Sequence, residues 1–185
     1  MANRALLLTL LALFWFSGPV FGESAADTAT QYFDVLKRKD YSTAATYLHP
    51  DALAEFREMM GFLSEIPPDA RASVYSQLFG PDATVDSVAS LSDTEYFAAF
   101  FAAVMSLAEA AGEVDFGAME ILGEVTEGED TVHLVIRNRA SVGEIEVEGL
   151  EVVSLRKYEG DWKALLSGKI KGLPAQLRQA FSHGQ

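Results

Sequence analysis

The chain of 185 residues contains three histidines, the side chains best suited to proton transfer near neutral pH: His49, His133 and His183. Their separation does not match the spacing of a helical metal site. His49 precedes Pro50 at a predicted helix end, where we expect it to cap backbone carbonyls, because nothing nearby in the sequence would orient it as a general base. His183 lies in a tail that we expect to fray. We expect His49→Ala and His133→Ala to leave folding and ligand binding nearly unchanged.

His133 and Arg137 lie on one face of a predicted strand, opposite an apolar face of Val132, Leu134 and Ile136. If the apolar face lies against the core, both polar side chains face solvent, which is the interpretation that we favour. If the sheet instead encloses its polar face, both side chains lie inside the fold and can contact a ligand. His133 and Arg137 are therefore ligand-binding candidates whose role depends on which face is enclosed.

Five further ligand-binding candidates occupy inward positions of predicted helices: Tyr32, Tyr47, Phe97, Phe101 and Met105. Aromatic stripes at helical spacing are typical of ordinary hydrophobic cores, and we favour that interpretation. The same side chains would line a site for an apolar ligand if a void remained beside them. The pattern assigns no residue a catalytic role.

The composition excludes several kinds of chemistry. The chain has no cysteine, which excludes thiol catalysis, cysteine-ligated zinc and iron–sulfur clusters. It also has no Gly-x-Ser-x-Gly motif, the nucleophile elbow of many serine hydrolases. We expect no metal and no cofactor. Four glutamates on the third predicted strand alternate with apolar residues, which predicts a solvated face or a charged strand edge rather than a calcium site: Glu144, Glu146, Glu148 and Glu151.

The net charge of −13 and the first 22 residues indicate where the chain works. An acidic surface repels nucleic acids and anionic lipids, so we expect neither as a partner. Arg4 precedes an apolar run over residues 5–16, which is too short to span a bilayer and is typical of a cleaved export signal. We expect residues 1–22 to be removed, the remainder to be periplasmic or secreted, and the mature chain to have no stable membrane span.

The first half of the chain has the 3.6-residue apolar period of amphipathic helices. Helices are predicted over residues 29–39, 41–48, 51–66 and 69–79. The clearest helix start is Ser92 followed by Glu95, a capping box that precedes an apolar stripe including Phe97 and Phe100. Gly112 is predicted to end this helix, which we expect to be the most buried one.

After Gly112 the apolar period changes to two, which predicts strands over residues 119–125, 131–139, 144–158 and 162–170. The alternation slips near Gly149, which predicts a β-bulge there. A short terminal helix is predicted to begin at Pro174. Helices followed by an antiparallel meander predict one α+β domain over residues 23–185, with N-terminal helices packed against a four-stranded antiparallel sheet.

Two segments carry a family resemblance, DYSTAATYLHPDAL at residues 40–53 and VSLRKYEGDWK at residues 153–163. In these motifs and their order, the chain resembles the nuclear-transport-factor-2-like superfamily. The resemblance implies a strongly curved sheet wrapped around helices, which together form a cone with an apolar cavity at its wide end. Catalytic members place a carboxylate base in the cone, but no residue of this chain matches that pattern by motif. The helical segment between Asp51 and Gly112 is longer than is usual in the family and could fill or cover the cavity.

Three functions remain open at this point. The favoured one is an exported, non-enzymatic domain that binds a small apolar ligand or a protein partner. The second is a small isomerase or dehydratase that acts on a hydrophobic substrate, which an open cavity with a carboxylate, His133 or Arg137 inside it would favour. The third is an assembly role at the cell envelope. A filled cone with a broad apolar surface patch would favour a protein partner.

Overall fold

The structure of this chain is a computed structural model, and it describes residues 23–182. The predicted export signal and His183 lie outside these residues. Within them, helices come first and the sheet follows, as predicted. The helices before the sheet are α1 (Ala25–Lys37), α2 (Tyr41–Thr46), α3 (Pro50–Met59), a 3₁₀ helix (Met60–Glu65), α4 (Pro68–Phe79), α5 (Val85–Ala89) and α6 (Asp93–Ala111).

The four strands form an open antiparallel meander in the order β1-β2-β3-β4. This arrangement confirms the predicted α+β class, with helices packed against a four-stranded antiparallel sheet. Two register shifts in β1, at 116–119 and 121–123, mark bulges that bend the strand. The strands are β1 (Val114–Glu127), β2 (Thr131–Val142), β3 (Ile145–Tyr158) and β4 (Asp161–Ala164), and α7 (Gly168–Ser182) follows them.

Local sequence signals explain most element ends. The predicted capping box at the start of α6 is present: the Ser92 hydroxyl accepts the Glu95 N–H at 3.3 Å, and the Glu95 carboxylate accepts the Ser92 N–H at 2.8 Å. Gly128 and Gly143 lie in the first two hairpin turns with φ of 68° and 59°. Glycine adopts this left-handed region without the strain that a Cβ would cause.

Three expectations about the sheet and its end are wrong. The bulge predicted near Gly149 is absent, because β2 and β3 stay in register from Thr131 opposite Arg156 to Val142 opposite Ile145. The fourth strand ends at Ala164 rather than residue 170. The last helix begins at Gly168 and contains Pro174 in its interior. The apparent slip in alternation arises because an apolar side chain, that of Leu150, is exposed.

The helices enclose an aromatic core of their own. Phe56 of α3 is 1% exposed, and its ring centroid lies 5.0 Å from that of Phe97 and 5.2 Å from that of Phe100, both on α6. Met60 and Leu63 of the 3₁₀ helix are also fully buried in this cluster. The long segment between α2 and β1 therefore has a hydrophobic core, which explains how it stays folded.

A second buried cluster joins α1 to one face of the sheet. Ala25 and Ala29 pack against Val132, Leu134 and Leu155, and we call this face of the sheet the inner face and the opposite one the outer face. The helical cluster and the helix–sheet cluster are separate sets of buried residues. A cavity lies between the helices and the inner face. Among residues 23–182, none of the helices combines the length and the apolar character needed to span a membrane.

Candidate functional site

A cavity of about 360 Å³ lies between α1, α6, the start of α7 and the inner face of the sheet. This volume falls in the range of small-molecule sites, about 300–1,000 Å³. Ala29, Phe33 and Leu36 of α1 and Phe101 of α6 form the helical wall. The sheet contributes mostly apolar side chains: Phe116, Met119, Ile136, Ala140, Val147 and Val153.

A small polar group interrupts this apolar lining. Glu151 lies on the inner face of β3, where its side chain is 18% exposed. One of its carboxylate oxygens, Oε2, accepts hydrogen bonds from Asn138 Nδ2 at 3.2 Å and from Lys169 Nζ at 3.1 Å. Asn138 reaches it from β2, and Lys169 reaches it from the first turn of α7. The ion pair therefore joins the sheet to the last helix across the cavity wall.

Tyr32 of α1 lines the cavity on the side of the helices. Burial raises the pKa of its hydroxyl to about 12, and the negative charge of Glu151 contributes in the same direction. The phenol therefore stays protonated at physiological pH and can donate a hydrogen bond into the cavity. The Tyr47 ring lies 6.0 Å from that of Tyr32, and the Tyr47 hydroxyl donates to Gln31 Oε1 at 3.1 Å.

Of the five helical residues that the sequence offers as ligand-binding candidates, some line the cavity and others do not. Tyr32 and Phe101 line the cavity, whereas Tyr47 only contacts Tyr32 from behind. Phe97 is 2% exposed and stacks on Phe101 with ring centroids 5.7 Å apart, so it belongs to the helical core. Met105 is half-buried on α6 and is not among the residues that line the cavity.

His133 and Arg137 lie on the outer face of β2, away from the cavity. His133 Nε2 is 2.7 Å from a carboxylate oxygen of Glu127, and its Nδ1 is 2.8 Å from the Ser154 hydroxyl. Arg137 donates to Glu120 at 2.8 Å. Both side chains are partly exposed and already paired, which matches the solvent-facing interpretation of this strand face.

Glu151 is the functional candidate that sequence reasoning missed. The sequence pattern predicts that it shares a solvated face or a charged strand edge with Glu144, Glu146 and Glu148. Because β3 has no bulge, residues 151, 153 and 155 share one face, and Leu155 is fully buried. Counting back by twos from Leu155 would have placed Glu151 on the inner face.

His49 also differs from expectation, because it is 5% exposed and has close partners. It is the N-cap of α3: its Nδ1 accepts the Asp51 N–H at 3.1 Å, so it caps a backbone donor rather than carbonyls. The Arg156 guanidinium lies within 3.3 Å of its ring nitrogens and also binds the Asp51 carboxylate. The expectation that His49→Ala leaves folding unchanged is therefore revised: loss of this cap should cost about 1 kcal/mol or more.

The environment of His49 makes the stability of the fold depend on pH. Burial lowers its pKa below the usual 6.5, the positive charge of Arg156 lowers it further, and Asp51 opposes the shift. As the pH falls through 6.5, His49 gains a proton in the unfolded chain before it does so in the folded chain. The free energy of unfolding therefore falls as the medium becomes more acidic. We expect the free energy of unfolding to decrease from pH 7 to 5, measured by urea denaturation at a series of pH values.

The matched variant is His49→Asn, because asparagine is a good N-cap and does not titrate. The difference in unfolding free energy between the native chain and His49→Asn should change between pH 7 and 5. Carboxylates with lowered pKa values, such as Glu95 and Glu148, affect both proteins equally and cancel in this difference. A difference that stays constant with pH would show that His49 titrates as it does in the unfolded chain.

Comparison with known proteins identifies no relative of this chain. No protein-family model, no curated protein and no solved structure matches the chain. The resemblance to the nuclear-transport-factor-2-like superfamily therefore stays a prediction. Within residues 23–182 there is also no group of three or more histidine, aspartate or glutamate side chains placed to hold a metal ion.

Proposed function

We propose that this chain binds a small, largely apolar molecule in the cavity between α1, α6, α7 and the inner face of the sheet. The observation that carries the proposal is a cavity of about 360 Å³ with apolar walls and a few polar side chains. Apolar walls supply most of the binding free energy, and a few polar groups fix the orientation of the ligand. With the export signal expected at residues 1–22, binding would take place outside the cytoplasm, and N-terminal sequencing of exported protein tests that location.

The polar group suits a ligand with one hydrogen-bonding function. Tyr32 retains its proton and can donate to a carbonyl or hydroxyl oxygen. Glu151 uses Oε2 for Asn138 and Lys169, which leaves Oε1 to accept a hydrogen bond from a ligand hydroxyl. These groups face the cavity from opposite walls, α1 and β3. An apolar molecule with one polar end therefore fits the site better than a pure hydrocarbon.

Closing the mouth of the cavity tests this proposal. Val147 lines the cavity and is 59% exposed, so Val147→Trp should obstruct the mouth without disturbing buried residues. We expect the native chain to bind N-phenyl-1-naphthylamine, an uncharged fluorescent probe, and Val147→Trp to weaken that binding by about tenfold or more. The measurement is a fluorescence titration of each protein with the probe.

The control is Val152→Trp, the same substitution on the same strand. Val152 is 53% exposed but lies on the outer face, opposite Val135 of β2. Its probe affinity should equal that of the native chain. No binding to the native chain, or an equal loss in both variants, would contradict binding in the cavity.

Glu151 favours a second candidate, an isomerase or dehydratase acting on a small apolar carbonyl compound. In that case Glu151 Oε1 would remove a proton next to the carbonyl, and Tyr32 would donate to the carbonyl oxygen as charge develops there. Incubation with small apolar ketones in deuterated water tests this step. Deuterium incorporation that is lost in Glu151→Gln and Tyr32→Phe would support the enzyme, and no incorporation above the rate in buffer would exclude it for those ketones.

A further inference from the structure

We propose that the Glu151–Lys169 ion pair makes the cavity selective for uncharged ligands, so that the natural ligand is a neutral apolar molecule with a hydroxyl or carbonyl group. This inference rests on the proposed function, since it names the class of ligand that the cavity accepts. Its basis is the position of two opposite, mutually paired charges on the wall of a mostly apolar space.

The pair consists of unequally exposed partners. The Glu151 side chain is 18% exposed and the Lys169 side chain is 70% exposed, and their charged atoms are 3.1 Å apart. Glu151 is held in place by Asn138 as well, so its charge is fixed beside the apolar space. Lys169 extends over it from the solvent side at the start of α7. The lining also includes Arg139, whose side chain is 62% exposed and pairs with Glu148 at 2.6 Å, so within the lining Glu151 and Lys169 are the charges that pair with each other.

A charged ligand would bind less favourably than a neutral one beside this ion pair. A ligand carboxylate would lose water in the cavity and lie close to Glu151, while the one nearby ammonium is already engaged. A ligand ammonium would be attracted to Glu151 but would meet the positive charge of Lys169. A hydroxyl or carbonyl group meets neither penalty, because it hydrogen-bonds to Glu151 Oε1 or to the Tyr32 hydroxyl without adding charge.

The net charge of the chain does not account for such selectivity. A charge of −13 disfavours every anion at long range, but it favours cations and would rank an amine above an alcohol. The ion pair instead predicts that the neutral ligand binds more tightly than either charged one. Measurements at about 0.15 M salt, where the screening length is about 8 Å, reduce the long-range contribution.

Three ligands that share a ten-carbon alkyl group test the proposal: 1-decanol, decanoate and decylamine. Each competes with N-phenyl-1-naphthylamine for binding to the full-length protein or its exported form. We expect 1-decanol to bind about tenfold more tightly than the other two. In Lys169→Met, Glu151 is left without its cation, and decylamine should gain about tenfold relative to 1-decanol. In Glu151→Gln, the ammonium of Lys169 is left unpaired, and decanoate should gain by a similar factor.

Matched controls change the same charges elsewhere. Lys171 lies two residues further along α7 and pairs with Glu55 at 2.8 Å outside the cavity, so Lys171→Met removes a lysine that does not line it. Glu127→Gln removes a carboxylate of β1 that lies 2.7 Å from His133 on the outer face of the sheet. Both controls should keep the ligand order of the native chain, since neither residue lines this cavity.

The outcomes separate this inference from the function on which it rests. If none of the three ligands and no probe binds to any of the proteins, the proposed function fails. If ligands bind but decanoate or decylamine equals 1-decanol in the native chain, the selectivity for neutral ligands is wrong. If the order is correct but Lys169→Met and Glu151→Gln leave it unchanged, the ion pair is not its cause. Lys169 is largely exposed, so its variant is expected to fold.

Discussion

Phe56→Ala is expected to remove a large part of the stability of this fold. Phe56 is 1% exposed, and its ring contacts those of Tyr96, Phe97 and Phe100. Truncation of a buried phenylalanine costs about 3–5 kcal/mol, because contacts are lost and the cavity left behind does not fully collapse. Small domains have a total stability of about 5–15 kcal/mol. Urea denaturation followed by circular dichroism should show a large fall in the transition midpoint.

The control for this variant is Leu107→Ala on α6, whose side chain is 54% exposed. Its free energy of unfolding should change by less than about 0.5 kcal/mol, because exposed leucine contributes little burial. A Phe56→Ala variant that stays within about 1 kcal/mol of the native chain would show that the helical segment between α2 and β1 lacks the tight aromatic core described above.

Leu134→Ala, in the helix–sheet cluster, is expected to lower stability by a comparable amount. Leu134 is fully buried on the inner face of β2, where Ala25 and Ala29 of α1 belong to the same cluster. Buried leucine to alanine costs about 2–5 kcal/mol. Leu150→Ala is the matched control, since Leu150 is an exposed leucine on the outer face of β3, and its cost should stay below about 1 kcal/mol.

The same experiment shows whether the two clusters form one cooperative unit. Trp162 is the only tryptophan after residue 22, and it packs against the helix–sheet cluster, so its fluorescence reports on that region. Circular dichroism at helical wavelengths reports mainly on the helical cluster. The two transitions should coincide in the native chain and in Leu134→Ala, as expected for a single domain. Separate transitions would mean that the helical segment and the sheet unfold independently.

The side chains of α1 differ in size along the helix, and this difference places the cavity. α1 covers the inner face with small residues near its start, Ala25 and Ala29, and turns larger ones, Tyr32, Phe33 and Leu36, toward the cavity. Small side chains allow close approach at one end of the helix. The cavity that we propose as the binding site begins at Ala29 and extends along the part of the helix that carries the larger residues.

The outer face of the sheet gives less support to a protein partner. It exposes Val125, Leu150 and Val152, but these side chains are interrupted by ion pairs such as Arg137 with Glu120. A continuous apolar patch would be a stronger indication of a docking surface. The ligand interpretation is favoured because its cavity has both apolar walls and oriented polar groups.

Local sequence was sufficient for elements whose ends carry their own chemistry. The capping box of Ser92 and Glu95 fixes the start of α6, and the glycine turns separate the strands, because these features depend on residues only a few positions apart. Local sequence was insufficient to place an element where its apolar pattern fits both a strand and a helix. Residues 165–170 are as compatible with a strand as with a helix start, and the choice follows from where β4 loses its partner on β3.

The sequence by itself therefore determined the class of the fold, the order of its elements and which side chains of β2 share a face, because periodicity and capping are local properties. Only the tertiary structure decided which face is enclosed and what meets across it. Glu151 and Lys169 are 18 residues apart in the chain, and α7 and β3 must pack before their charges meet. His49 and Arg156 are 107 residues apart, so the burial that lowers the pKa of His49 and the Arg156 contact that adds to it exist only in the folded chain. Alternation assigns relative directions, whereas burial depends on helices packing against the sheet.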